Sequence, residues 1–344
     1  MPQQPQNQNP APSRKKALIS VAILLALTGV LVLLFKDNWA EISAALAQLS
    51  PWQVALVLAL GITYPLLEGV ASWLIVRSRL PGFTLWHGID NAWMGTFGNV
   101  ICLGAGAVPM QTYYLHRCGL GLGPGVGLMT LQYVFHKTAV LAYATVLLLW
   151  QRPWFTAHAT GVLRYLPAAY AVVAGVILGL VLLCTAPLVQ KLARWALGLL
   201  PKTEKWQTRR ESLQTQLDTL SEESRHLLAE KNRCLKIFAV HLCKLFLMYT
   251  IPYFCLRFMG LSTALDFGQV QLLTALTLFL SNALPNVAGM GSIETAFLLV
   301  FGSFLTRGET MSILMLFRIA TYYVVVAVSA AGFFFAQKNA EKLI

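Results

Sequence analysis

The feature that most constrains this sequence is an interrupted stretch, residues 281–294, inside a hydrophobic part of the chain. Pro285 removes a backbone hydrogen-bond donor, and Gly289 and Gly291 weaken a helix. Glu294 adds a charge where a membrane helix would be apolar. Non-helical backbone at membrane depth is tolerated only where it is buried in protein or lines a wet cavity. The stretch therefore predicts a helix broken around a site, with a loop outside the membrane as the alternative.

A second interrupted stretch, residues 99–111, also joins an asparagine, spaced glycines and Pro109 in an apolar setting. Paired Gly/Pro interruptions in the two halves of a membrane protein indicate a transport site. Half-helices that begin after each interruption would direct free N–H groups inward, and such helix ends bind anions. Asn282 and Asn286 would add hydrogen bonds. Cap and turn chemistry alone is the alternative explanation for these residues.

The composition is that of a polytopic membrane protein. Of the 344 residues, 57% are hydrophobic and 12% are charged, whereas a soluble domain is roughly one quarter charged. The formal net charge is +12, but most Lys and Arg residues flank hydrophobic runs. That position marks cytoplasmic loops, so no nucleic-acid partner is expected. The six cysteines form no CxxC pair and no catalytic motif is visible. We therefore expect no metal, no cofactor and no enzymatic activity.

Hydrophobic runs predict six full membrane crossings, and the hydrophilic parts of the chain predict what lies between them. Residues 1–16 predict a disordered cytoplasmic N-terminus. The hydrophilic segment 188–236 has leucines at helical spacing, which predicts an amphipathic helix against the domain or the membrane surface. The six predicted crossings are 17–35, 52–76, 125–150, 168–187, 237–259 and 311–335.

The positions of the basic residues predict an inverted repeat. If 87–120 and 268–305 each enter and leave the membrane on one side, the basic clusters all fall in the cytoplasm. Two membrane repeats, 17–150 and 168–335, then have opposite orientations, as in many secondary transporters. The fold class predicted is an all-α, polytopic integral membrane bundle with two inverted repeats and two re-entrant or broken helix hairpins. Each hairpin could instead be two full crossings, which charge counting does not decide.

Ionisable residues inside the hydrophobic runs are the candidate site residues, because a charge at membrane depth usually faces a cavity and has a partner. Glu294 would pair with a cation, carry a proton or orient a headgroup; the alternative is a structural salt bridge to Arg318. The buried cations would bind an anionic group such as phosphate, with snorkelling or structural pairing as the alternative. His136 and His241 are weaker candidates. The substrate-binding candidates are Glu68, Pro109, Arg117, Lys137, Lys244, Asn282, Pro285, Asn286, Gly289, Gly291, Glu294 and Arg318.

Two segments resemble the transmembrane, flippase-like domain of the lysylphosphatidylglycerol synthases. Leu284-Pro285 through Gly289-x-Gly291-x-x-Glu294 is similar to that family's Pro…Gly-x-Gly-x-x-Glu segment. Phe317-Arg318 followed by Thr321-Tyr322-Tyr323 is similar to the arginine-aromatic start of its last helix, and Gly104-Ala-Gly106 with Pro109 is a looser match. The resemblance implies a bundle with inverted repeats and re-entrant helices that moves lipids between leaflets.

The chain also departs from that family's pattern. Gln111 and Ala107 stand where many members have an arginine and an acidic residue. The chain contains no soluble aminoacyltransferase domain, so we expect a stand-alone member that does not make lysyl-lipid.

The sequence and the resemblance together predict a flippase in a bacterial cytoplasmic membrane, with both termini in the cytoplasm. Its substrate would be an anionic or aminoacylated phospholipid or a polyprenyl-phosphate lipid. Lys137, Lys244 and Arg318 would hold the phosphate, while Glu294 would balance charge or couple protons. The alternatives are an ion-coupled carrier of a small polar solute and a non-transporting scaffold that holds a lipid for a partner synthase. The oligomeric state is not predicted.

Overall fold

A computed structural model describes residues 39–102, 104–158, 166–199, 204–261, 265–282 and 291–341. Every regular element in those ranges is helical. The predicted disordered segment 1–16 and the predicted first crossing 17–35 lie outside the described residues.

The helices follow one another with short connections. They are α1 (Trp39–Ala47), α2 (Pro51–Val76), α3 (Leu85–Ile101), α4 (Ala107–Arg117), α5 (Leu122–Trp150), α6 (Arg152–His158), α7 (Leu166–Thr185), α8 (Pro187–Gly198), α9 (Glu204–Ala229), α10 (Lys231–Phe258), α11 (Phe267–Ser281), α12 (Ser292–Phe301), α13 (Arg307–Arg318) and α14 (Val324–Glu341), with a π-helical turn, Ile319–Tyr323, between the last two.

Four long apolar helices confirm that the chain is a multi-pass membrane bundle. Helices α2, α5 and α10 and the continuous rod Arg307–Asn339 are each long and apolar enough to cross a bilayer. They coincide with four of the predicted crossings. The predicted crossing 168–187 coincides with α7, which meets α8 at a bend of 99°. Helix α10 begins at Lys231, six residues before the start predicted for that crossing.

Each interrupted stretch falls between two short helices. Helix α3 ends at Ile101 and α4 begins at Ala107, which defines the first break. Helix α11 ends at Ser281 and α12 begins at Ser292, which defines the second break, but residues 283–290 of it lie outside the described residues. Helices α3 and α11 have 17 and 15 residues, and α4 and α12 have 11 and 10. A full crossing needs about 20 residues, so none of the four is long enough to cross upright. Whether the two hairpins are re-entrant stays a prediction.

The helices pack as two similar sets, α2–α5 and α10–α14, which we call the first and second sets. Helix α3 packs on α2 as α11 packs on α10, and α4 packs on α5 as α12 packs on α13. The sets also exchange contacts, because α3 packs on α14 of the second set while α11 packs on α5 of the first. This reciprocity is what two related repeats would give.

The leading helices of the two sets, α2 and α10, pack against each other in opposite directions. Trp52 at the start of α2 meets Phe258 at the end of α10, with ring centroids 5.2 Å apart. Glu68 and Lys244 pair near the middle of the contact. An inverted repeat requires this antiparallel arrangement, although the orientation of the two sets in a membrane stays a prediction.

Close backbone approach explains a pair of glycines in the first set. Gly88 of α3 lies against Gly69 of α2, and a Cβ on Gly88 would be 2.4 Å from the Gly69 carbonyl oxygen. Only a residue without a side chain fits there, so α3 is held tightly along α2.

The hydrophilic segment 188–236 contains two helices rather than one. The predicted leucine stripe lies on α9, where Leu217, Leu220 and Leu227 are buried. This face packs on α5, so the stripe covers the domain and not the membrane surface. Glu223 of α9 is buried and its carboxylate accepts a hydrogen bond of 3.0 Å from Arg79 Nε, which ties α9 to the end of α2.

Candidate functional site

The second break ends at a buried ion pair between Glu294 and Arg318. Gly291, with φ of +90°, is the N-cap residue of α12, and its N–H donates to Glu294 Oε2 at 2.7 Å. Glu294 Oε1 lies 2.8 Å from Nε of Arg318, the last residue of α13, and both side chains are 6% exposed. One carboxylate therefore caps a helix N-terminus and pairs with a guanidinium. The structure shows the contact that the sequence offered as the structural alternative for Glu294.

Arg318 is held on its other face by an aromatic ring. Its guanidinium lies 4.3 Å above the ring centroid of Tyr322, inside the π-helical turn that follows α13. Turns of this kind occur frequently at functional sites. Gly61 of α2 faces the same turn, and a Cβ there would lie 2.1 Å from the Ala320 carbonyl oxygen. The first set therefore packs directly on the turn that positions Arg318.

A second buried pair joins the two sets. The Lys244 ammonium on α10 pairs with the Glu68 carboxylate on α2. Gln132 of α5 donates from Nε2 to Glu68 Oε1 at 2.6 Å. Lys244 is fully buried and also lies 4.4 Å above the ring centroid of Tyr64, whereas the Glu68 side chain is 23% exposed. Three helices from both sets thus meet at one carboxylate.

Two histidines lie beside this pair. The rings of His136 on α5 and His241 on α10 are 5.6 Å apart, and Tyr64 meets His136 edge to face. His241 is fully buried, and neither of its ring nitrogens makes a hydrogen bond in the described residues. Both histidines therefore belong to the Glu68–Lys244 cluster, which their sequence positions alone did not indicate.

Lys137 reaches from the first set to the second break. Its Nζ donates to Asn282 Oδ1 at 2.5 Å, and it also lies 5.2 Å from the ring centroid of Tyr133. Asn282 caps the end of α11 and donates from Nδ2 to the Leu278 carbonyl at 2.6 Å. Among the described residues, Lys137 forms no ion pair with a carboxylate.

The remaining candidates fall in three places. Pro109 is exposed in the first turn of α4, beside the first break. Arg117 ends α4, roughly 12 Å further along the helix, so the structure does not bring it to the break. Pro285, Asn286 and Gly289 lie outside the described residues.

Sequence reasoning missed a buried carboxylate in the first hairpin. Asp90 of α3 accepts hydrogen bonds from Asn339 Nδ2 at 2.7 Å and from the Tyr114 hydroxyl at 3.3 Å. It links the first hairpin to the end of α14 through neutral donors. The rule that flagged Glu68, an ionisable residue in an apolar helix, would also have found Asp90.

Two apolar cavities lie away from these charges. One has a volume of about 360 Å³ between α5, α7, α9 and α10, and the other has about 470 Å³ between α5, α7, α8 and α9. Neither is lined by residues of the two breaks. The transport site that the sequence predicts at the two breaks therefore stays a prediction.

Comparison with known protein families gives a match over most of the chain. The family model described as the lysylphosphatidylglycerol synthase TM region matches residues 18–329 of the chain. No curated protein matches it. The matched range includes both breaks and every charged residue described above.

Proposed function

We propose that this chain, which belongs to the lysylphosphatidylglycerol synthase TM region family, is a lipid flippase of a bacterial cytoplasmic membrane. Its substrate would be an anionic or aminoacylated phospholipid or a polyprenyl-phosphate lipid. Both termini would lie in the cytoplasm, and a lipid-synthesising enzyme is the expected partner. The multi-pass bundle with two broken hairpins supports transport over catalysis, and no enzymatic role is proposed.

The observation that carries the proposal is the unbalanced charge of Lys137 at the second break. Lys244 and Arg318 are already paired with Glu68 and Glu294, so each of these cations has a carboxylate in place of a ligand. Lys137 contacts the neutral amide of Asn282. An ammonium on a partly apolar surface is a suitable point charge for a lipid phosphate. Lys137 and Asn282 would therefore hold the phosphate, while the two ion pairs keep the surrounding helices in place.

The contact between Lys137 and Asn282 lies at a depth that suits a lipid headgroup on its way across the membrane. Lys137 lies near the middle of α5, a helix of 29 residues that is long enough to span a bilayer. Asn282, at the end of α11, is therefore near mid-membrane depth if α5 crosses upright. A polar group placed there lowers the cost of moving a charged headgroup through the apolar layer. Rocking of the two sets would expose the contact to each leaflet in turn.

The test is lipid exchange by purified protein in vesicles, with the accessibility of a labelled anionic phospholipid measured in each leaflet. A charge-assisted hydrogen bond contributes about 1.5–3 kcal/mol, so Lys137→Ala should lower the exchange rate about tenfold or more. Lys338→Ala, which removes an exposed lysine near the end of α14, is the matched control. Exchange that is unchanged in Lys137→Ala would refute the role of Lys137. Absence of exchange in the natural protein, with every lipid class offered, would refute the flippase proposal.

The scaffold alternative receives no specific support from the structure. Helix α9, the long helix of the hydrophilic segment 188–236, packs on α5 and is tied to the end of α2 through Arg79. Its removal would disturb the membrane domain itself, so deletion of the segment cannot separate docking from folding.

A further inference from the structure

Helix α8 carries an apolar stripe that faces away from the protein. Four large side chains on it are strongly exposed: Leu188 (79%), Leu192 (60%), Trp195 (63%) and Leu199 (67%), the last just past the helix end. At about 100° per residue, these four positions fall within about 60° of one another around the helix axis. The stripe is therefore one continuous apolar face and not scattered exposure.

Hydrogen bonds at the bend between α7 and α8 fix the direction of α8. Pro187 begins α8 and lacks the N–H that would continue the helix from α7. The side chain of Gln190 is buried and donates from Nε2 to the carbonyls of Leu183 at 3.1 Å and Cys184 at 3.4 Å. Those carbonyls are among the last of α7 and would otherwise lack partners. Hydrogen bonds thus stabilise the bend of 99°, which is not a flexible connection.

The opposite face of α8 is held by the protein. Arg194 pairs with Asp218 of α9 at 3.1 Å. Ala193, Ala196 and Leu197 line the 470 Å³ apolar cavity between α8, α9 and α5. Because this face is fixed against α9, the apolar stripe must point outward.

Helix α7 does not need α8 to cross the membrane. It has 20 residues, which reach about 30 Å and match the hydrocarbon core. Val172, Val176, Leu178 and Leu182 are exposed along it, so its free surface is also apolar. A helix that leaves such a span at 99° runs in the plane of the membrane, and the two apolar surfaces become continuous.

We propose that α8 lies in the headgroup layer of the leaflet at which α7 ends, on an anionic phospholipid surface. The four-residue stripe enters the acyl boundary, as amphipathic helices do to about 5–10 Å. Lys191 lies on the flank of the stripe and is exposed, so it places a basic group where the stripe borders the headgroups. Trp195 sits at the level at which tryptophan is enriched in membrane proteins. This proposal does not depend on the flippase proposal.

The experiment places the full chain in vesicles of neutral or partly anionic phospholipid that carry bromine at defined depths. Subtracting the emission of Trp195→Phe from that of the natural protein isolates the signal of Trp195. We expect bromine near the carbonyl region to quench this signal most, bromine at the chain ends to quench it less, and aqueous iodide to quench it least. Leu192→Glu should lower the lipid quenching at least twofold, because it places a charge in the stripe. Thr215→Glu, at an exposed position on α9, is the matched control and should leave it unchanged.

Anionic lipid should increase the quenching by bromine near the carbonyl region, and Lys191→Glu should remove that increase. Strongest quenching by iodide would overturn the proposal, because α8 would then lie in water. Strongest quenching at the bilayer centre would also overturn it, because α8 would then be part of a span. Protection from every quencher would mean that protein, such as a second copy, covers the stripe.

Discussion

The Glu294 carboxylate both caps the N-terminus of α12 and forms an ion pair with Arg318. Its two oxygens serve different partners, the Gly291 N–H and the Arg318 guanidinium. The positive end of α12, which a free anion would otherwise occupy, already receives a carboxylate from the protein. The anion site expected at this helix end is therefore occupied by the protein's own carboxylate, which is why the phosphate contact is proposed at Lys137 instead.

Because Glu294 and Arg318 stabilise each other, we expect the effects of mutating the two residues not to be additive. Glu294→Gln leaves Arg318 buried without its carboxylate, and breaking a buried pair costs about 3–5 kcal/mol. For a chain of 344 residues the apparent Tm should fall by about 4–7 °C. The double variant Glu294→Gln/Arg318→Met removes both charges and should regain most of that loss. The measurement is thermal unfolding in detergent, and a double variant as unstable as the sum of the single ones would contradict the coupling.

The charged residues of the site could be predicted from the sequence, but most of their partners could not. Local rules flagged Glu68, Lys137, Lys244, Glu294 and Arg318, because a charge in an apolar helix is visible in the sequence itself. Their partners were not visible when far apart in the chain: Glu68 and Lys244 are separated by 176 positions, and Lys137 and Asn282 by 145. The exception is Arg318, whose partner Glu294 lies in the neighbouring helix. Which residues pair depends on how the helices cross, and these crossings cannot be predicted from a single sequence.

At the scale of helices, the two breaks were predictable and the course of the segment after α7 was not. Proline and glycine act on the backbone at their own positions, so an interruption can be read locally. The 99° elbow depends on Gln190 reaching back to the carbonyls of α7, and the leucine stripe of α9 faces α5 because α5 offers a complementary surface. The bend and the burial of the stripe both depend on tertiary contacts. The sequence predicted one amphipathic helix and two surfaces it might cover, whereas the structure has two helices, of which α9 covers the domain.

Gly291 gives a prediction at this scale. Its φ of +90° is a conformation that side chains rarely adopt, so Gly291→Ala should cost about 1–3 kcal/mol. The change should also tilt the start of α12 and weaken the Glu294–Arg318 pair. Gly179→Ala is the control, since Gly179 lies within α7 with open space around its Cβ position. Alanine there should be neutral or stabilising by about 1 kcal/mol. Equal unfolding temperatures for the two variants would show that the backbone at Gly291 is not strained.

At the scale of the whole molecule, the contacts describe two helix sets that pack reciprocally around antiparallel leading helices. Trp52 with Phe258 and Glu68 with Lys244 fix the opposite directions of α2 and α10. The same arrangement places the end of α11 beside the middle of α5, through Asn282 and Lys137. Re-entrant hairpins explain this depth directly, because a helix that crossed fully would end beside the end of α5 rather than beside its middle.

Side-specific labelling tests both the inversion and the re-entrance. Single cysteines at Pro81, before the first hairpin, and at Ser303, after the second, occupy exposed turns. If the two sets are inverted, a membrane-impermeant maleimide should label Pro81→Cys and Ser303→Cys from opposite sides of the membrane. Labelling of both from the same side would contradict the inverted repeat.

Ala105→Cys, in the first break, then decides how the hairpin runs. If α3 and α4 each cross fully, this cysteine lies on the face opposite Pro81 and should react there as fast as an open loop. If the hairpin is re-entrant, it lies at membrane depth and should react much more slowly from that face. The natural chain, with its own Cys102 nearby, gives the background rate to be subtracted. Because Lys137 and Asn282 meet at the middle of α5, we expect the slow result, and fast labelling would remove the depth argument for a headgroup site at the breaks.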